Sequence, residues 1–282
     1  MDLGRLGVWS SDIRRADEPA VAAAAELEQL GYGAIWYPAG SGTRGFDIAR
    51  ALLAGTDRIT VATGITSIWA TTAAESNAGF AALEHDHPGR FLLGVGVSHG
   101  PMVDRGHPGR YRRPLASTAE YLEQLTSVPR ERRILAALSP KMLELAKNQT
   151  IGTHPYLVTP AMIEAIRTAL GAGPIVAVEQ GVVLDPEPAR ARAAARQYLS
   201  SYFELPNYVH NWLRFGYTDA DVTAPGTDRL VDDLIAWGTV GQVGERIRAH
   251  FAAGADHVCV QVIGGGQPVP IEQWRAIAAE LD

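Results

Sequence analysis

The chain has 282 residues and a single cysteine, Cys259, so no disulfide can form within it and its composition suits a reducing compartment. An excess of positive charge is also missing. The 25 Lys and Arg stand against 31 Asp and Glu, a formal net charge of −6, which argues against a general nucleic-acid binder. No window approaches the ~20 continuous apolar residues of a membrane span. The opening MDLGRLGVWSSDIRRADE has no apolar core of signal-peptide length. These absences lead us to expect a soluble cytoplasmic protein, with neither nucleic acid nor membrane as partner. Cys259 lies in the apolar run HVCVQV and reads as buried and structural.

Short apolar runs alternate with longer amphipathic stretches. Strands are expected at 3–11, 33–39, 58–66, 90–97, 133–138, 150–158, 174–184 and 256–264. Helices fall between them. Asp17 caps the first, Pro88 stops the third, and Asp185 with Pro186 opens a long one after the seventh strand. An irregular, aromatic-rich region is expected at 203–236. Eight βα units with strands too apolar to face water imply an α/β fold, a (β/α)8 TIM barrel. It is read as one domain over 1–282, with insertions at 98–116 and 203–236; a doubly wound open sheet is the runner-up.

In such a barrel, chemistry sits where the strands end. The residues closing the apolar runs are Ser10, Pro38, Ala39, Gly64, Ile65, Thr66, Val97, Ser98, His99, Leu138, Ser139, His154, Gln180 and Gln261. The stretch GVGVSHG is not a dinucleotide loop, because His99 stands where the third glycine belongs and no helix follows at once. ALSPKMLELA places Ser139 at a helix N-cap, Pro140 in the first turn and Lys141 beside it, an arrangement suited to an anion. DRGHPGRYRRP gathers Arg105, Arg110, Arg112 and Arg113, either a solvated loop or a second feature suited to an anion. His85 and His87 sit at a helix C-terminus without a third ligand nearby, so no metal site is expected.

AELEQLGYGAIWYP, DRITVATGIT, PGRFLLGVGVSHGP, ILAALSPKMLELA and GTVGQVGERIRAHFAAGADHVCVQV, taken in order, resemble the bacterial-luciferase-like oxidoreductases. The likeness is greatest to the actinobacterial branch that uses the deazaflavin coenzyme F420. The resemblance implies a homodimeric enzyme that exchanges hydride between F420, or alternatively FMN, and a small organic substrate. It carries a non-prolyl cis peptide onto Gly64–Ile65, with Thr66 beside it, as support for the ring. Gly96, Val97, Ser98 and His99 would contact the ring's pyrimidine side, and Leu138, Ser139, Pro140 and Lys141 the phosphate. Several relatives have glutamate where His99 stands, which makes His99 the candidate acid or base. Two departures stand out. Pro38-Ala39-Gly40 replaces a carboxylate or histidine, and Thr71 replaces a basic residue. They suggest, as the alternative, a deazaflavin-binding carrier with little catalysis. Trp36, Trp69 and Trp212 are candidate walls of a substrate pocket.

Overall fold

A computed structural model describes residues 2–106, 108–264 and 269–281. Eight parallel strands close a barrel: β1 Leu6–Trp9, β2 Ala34–Tyr37, β3 Thr60–Thr63, β4 Phe91–Gly96, β5 Arg133–Leu135, β6 Gly152–Thr153, β7 Ile175–Val183 and β8 His257–Val262. Closure comes from β8, which pairs with β1 on one side and along six positions with β7 on the other. Every strand is shorter than its apolar run, because the flanking residues close the turns into the helices.

Helix starts follow side-chain chemistry. Asp17 accepts from the Ala20 N–H, and Thr72 and Thr239 form reciprocal capping boxes with Glu75 and Gln242. The long helix after β7 departs from expectation. It is Pro188–Leu199, capped by Glu187, whose carboxylate takes the Ala189 and Arg190 N–H groups. Asp185 instead pairs with Arg190 at 2.8 Å, so the cap lies two residues later than the sequence suggests.

The region 203–236 is not irregular. It holds the helices Pro206–Arg214, Asp219–Val222 and Asp228–Leu234, and Ala236–Trp237 pairs with the upper end of β7. Its aromatic residues obscure a clear helical signal: Pro206 in a first turn, then Thr218 and Thr227 as N-caps. After β4 a further helix, Gly100–Gly106, follows the strand's C-terminal end.

The core has two parts. An outer layer of Leu, Ile, Val and Phe fills the gap between strands and helices. A smaller inner core of Leu3, Trp9, Ala34, Trp36, Ala62, Leu92, Ile134, Ala177 and Cys259 plugs the barrel. No helix among the described residues is long and apolar enough to cross a membrane.

Between β3 and β4 the ladder is offset. Ala62 pairs with Leu92 and Thr66 with Val95, so the third strand spends one residue more than the fourth over that interval. This bulge pushes Gly64–Ile65 out at the barrel's C-terminal mouth.

Candidate active site at the barrel mouth

The Gly64–Ile65 peptide is cis. Gly64 donates its N–H to the Tyr37 carbonyl at 2.7 Å and accepts from the Trp9 indole N–H at 3.1 Å. The Ile65 side chain lies over Gly96, where an added Cβ would come within 2.9 Å of it. Glycine is therefore required at 96 to seat Ile65, and the two make an apolar shelf beside the half-buried Val97. Thr66 continues the strand and is buried, with its Oγ1 unpartnered.

The strand end at 97–99 is held from above. The Trp69 indole donates to the Val97 carbonyl at 2.7 Å, and Asn207 donates to the Ser98 carbonyl at 3.2 Å. Ser98 takes a left-handed φ of 55°, which turns the chain so that the His99 ring packs 4.9 Å from Tyr208. Burial lowers His99 to about 4, so at neutral pH it is a neutral imidazole, far from the poise of a general acid or base near 7.

Ser139 is the N-cap of the helix Pro140–Gln149, as its sequence position suggests, but its hydroxyl makes no capping bond. Ser139, Pro140 and Lys141 are exposed. Arg214, from the 203–236 region, donates to the Leu138 carbonyl at 2.7 Å and so places a guanidinium one residue before the helix start. Sequence reasoning missed it, because it lies 73 or more positions from every residue of that helix start. Among the basic-loop residues, Arg113 pairs with Glu120 at 2.9 Å, and Arg105, Arg110 and Arg112 are exposed.

Two of the three candidate pocket tryptophans are corrected. Trp36 is 0% exposed inside the barrel, stacked on His154 at 4.3 Å and donating to His257 Nε2 at 3.0 Å. Trp212 is also 0% exposed and donates to the Leu157 carbonyl. Neither offers surface to a ligand. Trp69 is half-buried beside Val97 and faces Tyr111. Ala39 and Thr71 are buried, and Thr71 donates to the Gly42 carbonyl, so this side of the mouth is filled by packing.

Gln180 is corrected as well. It lies in the middle of β7 facing the helices, with Oε1 2.7 Å from His250 Nε2 and Nε2 donating to the Leu234 carbonyl. Its neighbour Glu179 is 1% exposed and points into the barrel. Burial raises Glu179 to about 8, so it holds its proton at neutral pH, and its Oε1 has no partner. Above it, the Tyr156 and Tyr198 hydroxyls meet each other and both donate to Gln261 Oε1, at 2.6 and 3.1 Å. Tyr202 joins the Tyr198 hydroxyl at 3.3 Å.

Stability should therefore be highest near neutral pH. His99, His154 and His257 are pushed down by burial to about 4 and His250 to about 3, against 6.5 when unfolded. The unfolded chain takes up these protons first, so the stability the neutral rings contribute is complete above pH 6.5 and lost as pH falls towards 4. Glu179 acts in the opposite sense. Its folded value lies above its unfolded 4.5, so stability is lost as pH rises from 4.5 to about 8. Four histidines outweigh one glutamate, so the melting temperature should fall steeply between pH 6.5 and 4.5 and only gently up to pH 8. Equal melting temperatures at pH 4.5 and 6.5 would contradict this.

Residues 2–134 match the luciferase-like monooxygenase family model. A Mycobacterium tuberculosis protein named "Putative coenzyme F420-dependent oxidoreductase Rv3520c" is 25% identical, the alignment covering 99% of this chain and 98% of that one. The fold matches the coenzyme F420-dependent tetrahydromethanopterin reductase of Methanopyrus kandleri (TM-score 0.72, 14% identity, 98% of each chain). It also matches an F420-dependent secondary alcohol dehydrogenase (0.70, 14%, 99% of each). A Pseudomonas putida type II Baeyer–Villiger monooxygenase solved with FMN is equally similar (0.70, 16%, 99% of this chain and 98% of that one). Residues 2–134, just under half of the chain, thus resemble the luciferase-like monooxygenases, and the whole chain shares the (β/α)8 barrel of these solved structures.

Proposed function

We propose that the protein is an F420-dependent oxidoreductase whose cofactor lies along the shelf of Ile65, Gly96 and Val97, with its phosphodiester at the Ser139 helix. The observation that carries this reading is the anion cradle at the mouth. An exposed helix N-terminus follows β5, with a serine hydroxyl uncommitted to capping and Lys141 in its first turn, and the Arg214 guanidinium is bonded to the Leu138 carbonyl just before it. The residues fit the group: a flat apolar shelf at one end and a cationic, donor-rich helix start at the other.

When bound, the cofactor supplies the hydride chemistry. The chain binds, orients and shields it. Trp69 and Asn207 fix the carbonyls of Val97 and Ser98, which holds the strand end against the ring position. Neutral His99, backed by Tyr208, serves as a hydrogen-bonding group at the edge of the site. FMN is the second reading, because its phosphate would suit the same cradle and a neighbour of equal similarity holds FMN. Fluorescence titration with each cofactor decides between them: tight F420 binding with weak FMN binding is expected, the reverse order would make this a flavin enzyme, and binding of neither would remove the reading. Ser139→Ala should weaken the preferred cofactor about 3–10-fold through loss of one solvent-exposed hydrogen bond.

A further inference from the structure

The tyrosine cluster over Glu179 is not needed to hold the cofactor, yet it lies beside the proposed site. Tyr156 stacks obliquely on Trp9 at 5.4 Å, and Trp9 donates to Gly64. On the other side Tyr156 and Tyr202 both pack on Tyr208, which meets His99. Tyr156, Tyr198 and Tyr202 are each partly exposed, whereas Glu179 and Gln261 beneath them are buried.

We propose that this cluster is the substrate subsite, built to take a neutral, oxygen-bearing organic molecule such as an alcohol or ketone by hydrogen bonds with the hydroxyls of Tyr156, Tyr198 and Tyr202, Tyr202 being the donor not committed to Gln261, and closed to carboxylates and phosphates. The proposal rests on the oxidoreductase reading for its position beside the cofactor, but its chemistry is read from the cluster itself.

Two hydroxyls, those of Tyr156 and Tyr198, share the single amide oxygen Gln261 Oε1, the Tyr202 hydroxyl meets Tyr198, and Glu179 Oε1 is left with no hydrogen-bond partner. Buried polar groups in native structures are almost always paired, so an unpaired one beside partly exposed hydroxyls points to a polar ligand atom. The ligand's charge is set by what is missing. Among the described residues, no lysine or arginine is hydrogen-bonded, ion-paired or electrostatically coupled to Glu179, Tyr156, Tyr198, Tyr202 or Gln261. An anion entering here would be desolvated without a counter-charge. Glu179 is faced by Tyr156, Tyr198, Tyr202, Tyr208 and Cys259, all of which stay protonated because burial raises them. Once Glu179 ionises, above about pH 8, the subsite turns from merely unwelcoming to repulsive towards anions.

Matched ligands test this. Cyclohexanone, cyclohexanol and cyclohexanecarboxylate are titrated into the protein, alone and with F420 added, with binding read by saturation-transfer NMR and calorimetry. The two neutral ligands should bind at least about 10-fold more tightly than the carboxylate at pH 7. Tyr198→Phe and Tyr156→Phe should each weaken the neutral ligands about 3–10-fold, with thermal melting confirming that the variants fold. Between pH 7 and 9 the carboxylate should weaken further in the parent and not in Glu179→Gln. Equal or tighter carboxylate binding, unchanged affinity in folded Phe variants, or no detectable binding of any of the three at about 10 mM overturns the proposal. Loss of F420 binding with this ligand pattern intact removes the cofactor reading and leaves the subsite standing.

Discussion

Gly94→Ala is expected to destabilise the protein by about 3–5 kcal/mol, lowering its melting temperature by roughly 10 °C or leaving it insoluble. A Cβ at Gly94 would lie 1.9 Å from the carbonyl oxygen of Thr63. That oxygen cannot move aside. Thr63 is fully buried, its hydroxyl donates to the Gly94 carbonyl at 2.7 Å, and it accepts the Gly94 N–H at 2.9 Å. These two bonds stand in for the ladder where the bulge interrupts it. Relief would require β3 to leave β4, and in a closed barrel such a displacement passes to the neighbouring strands.

The same change should reach the site, because the bulge sets where Ile65 meets Gly96. Gly241→Ala is the contrasting control. That glycine lies in the helix Val240–Ala252 with nothing nearer than 3.9 Å to a built Cβ, so alanine should be neutral or stabilise by up to about 1 kcal/mol. Melting of both variants by circular dichroism settles the matter: a Gly94→Ala protein melting within 2 °C of the parent means that the strand junction is soft.

The barrel was legible because its alternation survives in a single sequence, and each strand–helix change is marked by a cap or a glycine. Facing was harder to read. PIVAVEQGVVL is buried almost throughout β7, so it shows no period of two, and nothing in the run says whether Glu179 or Gln180 points inward. Choosing the run's polar end by position favoured Gln180; pairing fixes the answer, since Glu179 stands opposite Cys259 across β8.

Trp36 misled for a related reason. An aromatic residue near a strand end serves a ligand or the interior equally well, and here the His257 ring takes its indole N–H while donating through Nδ1 to the Gly4 carbonyl. Arg214 and the tyrosines were illegible for a different reason. They come from segments far apart in the chain, and only closure of the barrel brings Tyr156, Tyr198 and Gln261 together. The anion cradle was half visible: the Ser139-Pro140-Lys141 start is local, whereas its second cation is not.

The double charge reversal Lys141→Glu with Arg214→Glu should weaken binding of the phosphate-bearing cofactor by about 100-fold or more. Each substitution replaces an attraction at the helix start with a repulsion, worth roughly 1–2 kcal/mol per site in a partly exposed setting. The two need not contribute equally. Lys141 is exposed and free to swing, whereas Arg214 is held by the Leu138 carbonyl and by Asn211 Oδ1 at 2.6 Å, so its charge is fixed in place. Arg214→Glu alone is therefore expected to cost more than Lys141→Glu alone.

Salt separates this from a folding effect. The parent's affinity should fall as ionic strength rises, and the double variant should lose most of that dependence, because the attraction being screened is gone. Loss of the Arg214 bonds also loosens the helix Pro206–Arg214, so melting temperatures are needed alongside the titrations. Arg214→Gln removes the charge, and the Leu138 contact with it, without introducing a negative charge. If the electrostatic account is right, Arg214→Gln falls between the parent and Arg214→Glu; if it binds the cofactor like the parent, the guanidinium is structural and the phosphate rests on the helix N-terminus and Lys141 alone.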